Sequence, residues 1–287
     1  MQPGYTMPVG IYEKALPANS WAERLQLARQ LGYDYLDISI DESDERLARL
    51  TWSRAERATL RQAIAETGVP ILTMVLSAHR KYPLGSASPE TRRRGLEILG
   101  HAIEFASDIG IQVVQVMGYD VFYEPSSAET EARFLEGLCS GARRAAEMGV
   151  MLGLENVDRP VAESISKGLQ FVKAVNSPWF QLCPDMGNLA AAGYYPPDEL
   201  RLGKGHLVGI HVKDAQPGII RGITFEQGIV PLSKTFQALA EIGYWGLLGV
   251  EMWGNMDSSG DPLTAVIEAR KLVDRLVAAA YHDSVSF

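Results

Sequence analysis

The chain has 287 residues, 46% of them hydrophobic and 22% charged, which is ordinary for a globular protein with room for a large core. The formal net charge is −8, the pI is near 5.2 and the 27 basic residues are scattered, so no nucleic-acid partner is expected. Two cysteines, Cys139 and Cys183, exclude a disulfide framework, no apolar run is long enough to cross a bilayer, and "MQPGYTMPVG" lacks the pattern of a signal peptide; a cytoplasmic protein with no membrane partner is expected.

In chain order, a first strand is predicted near 7–12. A capping box, Ser20-x-x-Glu23, then opens a helix at 20–31, with Trp21, Leu25, Ala28 and Leu31 on one face. Gly32 stops that helix, and a strand follows at 34–40. The unit repeats. Ser53-x-x-Glu56 opens a helix at 53–67, ended by Gly68 before a strand at 69–76. Ser88-Pro89 opens 88–109, ended by Gly110 before 111–117, and Ser126-x-x-Glu129 opens 127–148, ended by Gly149 before 150–156. A helix at 161–175 leads to a strand at 179–184, and an irregular helix at 188–203 leads to one at 207–213. The helix at 231–242 ends at Gly243 before the last strand, 246–252, and the last helix, 262–280. The strands are short and apolar on both faces, as helix-covered parallel strands are. Eight strands alternating with eight helices predict an α/β fold, a (β/α)8 TIM barrel, as a single domain over 1–287. No G-x-G-x-x-G follows the first strand, so a nucleotide-binding open sheet has no support.

In such a barrel the C-terminal strand ends face the active-site mouth. The fifth to eighth strands end in "LGLENVD", "FQLCPDMGN", "GIHVKD" and "LLGVEMWG", delivering Glu155, Asp185, His211 and Glu251. Each has an ordinary reading by itself: Glu155 paired with Arg159, Asp185 capping the next helix, His211 a core histidine, Glu251 paired with Lys213. Together they put three carboxylates and an imidazole at consecutive strand ends with few cations nearby, which is costly unless a divalent cation supplies the charge. The predicted cofactor is one divalent metal ion, and this donor set suits Zn²⁺, Mn²⁺, Mg²⁺ or Co²⁺.

With "GIYEKALP" at the first strand, these motifs resemble the xylose-isomerase-like TIM-barrel superfamily, and most closely the L-ribulose-5-phosphate 3-epimerases, also called L-xylulose-5-phosphate 3-epimerases. The resemblance covers essentially the whole chain. It implies an isomerase that epimerises a ketopentose 5-phosphate at C3 through a metal-stabilised cis-enediolate. Glu155, Asp185, His211 and Glu251 would bind the metal, and Glu155 and Glu251 would also transfer protons on opposite faces of the substrate. Inversion needs an acid/base group on each face, so the assignment is chemically sound.

Relatives acting on free ketohexoses have a histidine three residues after the ligand aspartate and a carboxylate six residues after the first ligand glutamate. Here those positions hold Asn188 and Val161, which favours a phosphorylated ketose as the partner. Candidate substrate-binding residues are Arg221, in the Gly-rich loop "PGIIRGITFEQGIVP", then Arg80 and His79 after the third strand, Lys14 after the first, and Asn188. A homodimer is the expected assembly. Alternatives are an aldose–ketose isomerase, a free-ketose 3-epimerase or keto-inositol dehydratase of the same superfamily, and a non-catalytic sugar-phosphate binding protein, although retention of both glutamates opposes the last. A DNA-repair endonuclease on this barrel would need several more histidines at the mouth, and only His211 of the five is placed well.

Overall fold

The structure is a computed structural model that describes residues 7–254 and 262–282; the ends of the expected 1–287 domain and the first six residues of the "MQPGYTMPVG" reading lie outside them. Eight parallel strands are described: β1 (Val9–Tyr12), β2 (Tyr35–Ile40), β3 (Ile71–Leu76), β4 (Val113–Met117), β5 (Met151–Glu155), β6 (Phe180–Leu182), β7 (Ile210–Val212) and β8 (Leu248–Val250). Around them run α1 (Trp21–Gln30), α2 (Asp44–Ala48), α3 (Arg54–Thr67), α4 (Pro89–Ile109), α5 (Ala128–Met148), α6 (Ile165–Val175), α7 (Met186–Ala191), α8 (Pro196–Leu202), α9 (Leu232–Glu241) and α10 (Pro262–His282). Each strand from β1 to β6 pairs with its neighbour in sequence, and β1 also pairs with β8, which pairs with β7. The ring closes between β6 and β7 through isolated bridges at Leu182–Leu207 and Asp185–His211, with backbone bonds from the Leu182, Val208 and His211 amides. This is the predicted (β/α)8 barrel.

The local signals act as their chemistry dictates. Ser20 and Ser53 form reciprocal capping boxes with Glu23 and Glu56, and Ser88 caps α4 with Pro89 at its first position. The third box is displaced by one residue. Ser127 caps α5 and exchanges bonds with Thr130, because the Ser126 hydroxyl donates to Asp120 instead. All five helix-stopping glycines have positive φ.

Three departures shorten or divide the predicted elements. Helix α6 begins at Ile165 rather than 161, capped by Ser164. The irregular helix splits into α7 and α8, because the Tyr195-Pro196-Pro197 stretch restarts the chain with proline at a helix N-terminus. Strands β6, β7 and β8 are only three residues long, falling short of the expected ranges at both ends. Helix α2, unforeseen in the sequence, is a single turn capped by Ser43.

Between sheet and helices lies one apolar layer, including Ile38, Phe105, Phe134, Phe236 and Val273. Burying a Phe side chain of this kind stabilises the fold by about 2–3 kcal/mol.

Candidate metal centre and cleft

At the C-terminal end of the barrel, Glu155, Asp185, His211 and Glu251 come together, all buried, with one ligand atom from each lying within 4.8 Å of all the others. The His211 Nδ1 faces the carboxylates: Glu251 Oε2 is 3.3 Å away, Glu155 Oε1 3.7 Å and Asp185 Oδ2 4.0 Å. Neither His211 Nδ1 nor Glu155 Oε2 has a hydrogen-bond partner, although both atoms are buried. Ligand atoms at about 2.0–2.3 Å from a common ion can be up to about 4.5 Å apart, so a small inward shift would let this set enclose one. The donor set, its spacing and its unpartnered atoms fit a divalent cation.

The backbone that aims these groups is itself tied together. Asp185 caps α7, accepting the Asn188 amide at 2.6 Å through Oδ1. Asn156, one residue beyond β5, accepts the Asp185 amide and donates to the Asp185 carbonyl. Asn188 then donates to the Asn156 carbonyl at 2.9 Å, clamping the ends of β5 and β6 to each other.

Lys213, expected only as an alternative partner for Glu251, belongs to this centre as well. It is buried, with Nζ 3.0 Å from both Glu251 Oε2 and Asp185 Oδ2. That ordinary pairing exists, and it coexists with the four-residue cluster. Burial disfavours the Lys213 cation, but Asp185 and Glu251 outweigh that and hold it protonated. Burial likewise disfavours charge on Glu251, yet Lys213 and His211 hold its pKa well below the ordinary value. Asp185 moves the other way: burial, with Glu251 and Glu155 alongside, raises its pKa against the pull of Lys213. Burial opposes a charged His211 too, but Glu155 and Glu251 prevail and raise its pKa.

Above the cluster opens a cleft. Of the four clustered residues, Glu155 and Glu251 line it; Asp185 and His211 do not. Lys14, Arg80, Asn188 and Arg221 line it as well, so four of the five substrate-binding candidates share one space. Lys14 is engaged by Asp41 at 2.6 Å. Arg80 and Arg221 make no described ion pair; their guanidinium groups lie 5.4 Å and 5.5 Å from the rings of Phe122 and Trp253. His79 sits apart from the cleft lining. It is buried in the turn after β3 with Nε2 3.2 Å from the Gly95 carbonyl of α4, and burial lowers its pKa to about 4. Val161 packs against the apolar core and offers no polar group.

A family model described as a xylose isomerase-like TIM barrel matches residues 25–276. The chain is 47% identical over 275 residues, 96% of each sequence, to a protein of Escherichia coli O139:H28 (strain E24377A / ETEC) named L-ribulose-5-phosphate 3-epimerase UlaE. A Shigella sonnei (strain Ss046) protein of the same name is 46% identical over the same span. Among solved structures, an L-ribulose 3-epimerase superposes with a TM-score of 0.82 at 21% identity, over 98% of this chain and 99% of that one. A D-psicose 3-epimerase studied in the presence of D-fructose gives 0.80 at 18%, over 96% and 99%. At those identities the two structures establish the fold.

Proposed function

The chain belongs to the L-ribulose-5-phosphate 3-epimerase family of xylose isomerase-like TIM barrels, and from that premise we propose that it interconverts L-ribulose 5-phosphate and L-xylulose 5-phosphate with the help of one divalent metal ion. It is an enzyme of the isomerase class, an epimerase. The observation that carries the finer reading is the split within the cluster: of its four members, the two that line the cleft are the two glutamates.

Inversion at C3 removes a proton from one face of the sugar and returns one to the other, so each face needs its own acid/base group. Glu155 ends β5 and Glu251 follows β8, so they reach the cleft from walls separated by β6 and β7. One glutamate accepts the C3 proton and the other delivers a proton from the opposite side. Lys213, 3.0 Å from Glu251, keeps that carboxylate ionised. Asp185 and His211, set deeper, serve as ligands only. A bound divalent cation would supply positive charge against the negative charge developing on the substrate oxygens.

The phosphate reading rests on Arg221 and Arg80, two guanidinium groups with no ion pair among the described residues, at one cleft above an acidic centre. A guanidinium fork suits bidentate phosphate binding. Asn188 and Val161 bring no charge to the free-sugar positions, which weighs against an unphosphorylated ketose.

The test is incubation of the metal-loaded enzyme with L-xylulose 5-phosphate in D₂O, following C3 by NMR. Deuterium at C3 together with L-ribulose 5-phosphate is expected. An aldose product would instead indicate isomerisation, and equal turnover of unphosphorylated L-xylulose would remove the phosphate reading.

A further inference from the structure

Beneath the metal centre, inside the barrel, lies a polar layer with no part in the chemistry described so far. Asp37, in the middle of β2, is 0% exposed, and neither carboxylate oxygen has a hydrogen-bond partner. Its Oδ2 lies 3.7 Å from Nε2 of His211, the ring nitrogen turned away from the cluster. Gln115, from β4, has its side-chain nitrogen 2.9 Å from the same Nε2, and its amide oxygen is buried without a partner. The packing leaves no slack. A methyl group at Gly249 of β8 would stand 2.6 Å from Asp37 Oδ2 and 3.0 Å from the His211 ring, so the missing side chain is what lets the carboxylate approach the imidazole.

A neutral imidazole carries one proton, on one nitrogen or the other. With Gln115 donating to Nε2, the proton is on Nδ1 and faces the carboxylates, and His211 has no lone pair to offer there. To act as a ligand through Nδ1, the ring must carry its proton on Nε2, where it needs an acceptor. Two are at hand: Gln115 with its amide turned over, and the carboxylate of Asp37. With a cation among the carboxylates the ring proton belongs on Nε2, and the buried carboxylate of Asp37, 3.7 Å away, favours it there electrostatically.

We propose that Asp37 is a positioning residue for the metal centre: its carboxylate, admitted by Gly249 and assisted by Gln115, accepts from Nε2 of His211 and so holds the ring with Nδ1 toward the metal. The inference rests on the metal-centre reading above. It extends a general property of metal-bound histidines, whose other nitrogen is commonly held by an outer acceptor.

The test measures Co²⁺ affinity of the metal-free protein by chelator competition, in wild type, Asp37→Asn, Asp37→Val and Gly249→Ala. Each variant is first checked by circular dichroism for a folded barrel. Affinity is expected to fall about ten- to a hundred-fold in the Asp37 variants, more in Val than in Asn, whose amide oxygen can still accept. Gly249→Ala, which displaces the carboxylate and leaves Asp37 intact, should fall in the same direction and keeps the test open if an Asp37 variant does not fold. Combining Asp37→Asn with His211→Ala separates positioning from packing, because Asp37→Asn should cost nothing further once the imidazole is gone. Affinity within about threefold of wild type in all three single variants, or full additivity in the double variant, would overturn the proposal. Wild-type protein that fails to bind Co²⁺ would remove the metal-centre reading itself and the proposal with it.

Discussion

At the level of single residues, the two-glutamate assignment makes a directional prediction. Glu155→Gln and Glu251→Gln keep the side-chain shape and one oxygen ligand but remove a proton-transfer group, so turnover should fall by about 10²–10⁴-fold. Each metal-loaded variant should still exchange the C3 hydrogen of one epimer with D₂O and not that of the other; near wild-type epimerisation by either would make that glutamate a ligand alone. Arg221→Ala should raise KM for the phosphorylated sugar about tenfold or more with a smaller change in kcat, and Arg80→Ala should do the same more weakly. Steady-state kinetics decide this, and unchanged KM in both would move the phosphate elsewhere. His79 behaves differently. Its folded-state pKa of about 4 lies below the unfolded value, so the stability it contributes is complete above about pH 6.5 and is lost as pH falls toward 4. Between pH 7 and pH 5 that loss is about 2 kcal/mol. His79→Gln can still donate to the Gly95 carbonyl and should narrow the gap between urea unfolding at the two pH values while leaving KM alone. The four clustered residues were legible in sequence because each ends an apolar strand. Asp37 and Gln115 were not, since a polar residue within a strand gives no sign of which wall it faces until the barrel closes.

At the level of elements, the segment between β7 and α9 shows how a loop carrying a proposed binding residue is held. Asp214, buried just beyond β7, accepts the amides of Ala215, Gly228 and Val230, so one carboxylate ties both ends of the 215–230 segment bearing Arg221. Gly228 fits against it because a side chain there would collide with Asp214 Oδ1. Asp214→Asn weakens the acceptor and should loosen the loop while leaving the barrel folded. KM for the phosphorylated sugar should rise by about tenfold, and limited proteolysis should cut within 215–230 sooner than in wild type; an unaltered cleavage rate would show that the loop has another anchor. Helices of several turns were readable from their caps and apolar spacing. Helix α2 was not, because five residues are too few to display a period, and the α5 box was misplaced by one because Ser126 and Ser127 are both capping residues until Asp120 engages the first. Strands β6 to β8 ran long in sequence at both ends, because apolar residues such as Leu207, Val208 and Leu247 lie just outside the regular ladder.

For the molecule as a whole, alternating strands and helices at regular spacing were enough to specify a closed barrel, but not where its wall is thinnest. That place is the β6–β7 junction, which rests on two isolated bridges where β2 and β3 share five registered pairs. One of those bridges joins Asp185 to His211, so the weakest joint is also where two of the proposed ligands meet. An ion held by both would therefore act as a rivet across it. Binding that favours the closed form stabilises it by about 2.7 kcal/mol at a hundredfold excess over Kd, and a joint that opens locally shows this most directly. Amide hydrogen exchange at Leu182, Val208 and His211 should slow on adding Zn²⁺ by more than at Asp37 to Ile40 in β2, whereas uniform slowing would mean that the barrel opens only as a unit. The proposed metal centre would then decide how long the cylinder stays shut, and a cell short of the metal would hold a protein whose wall breathes open at that centre first.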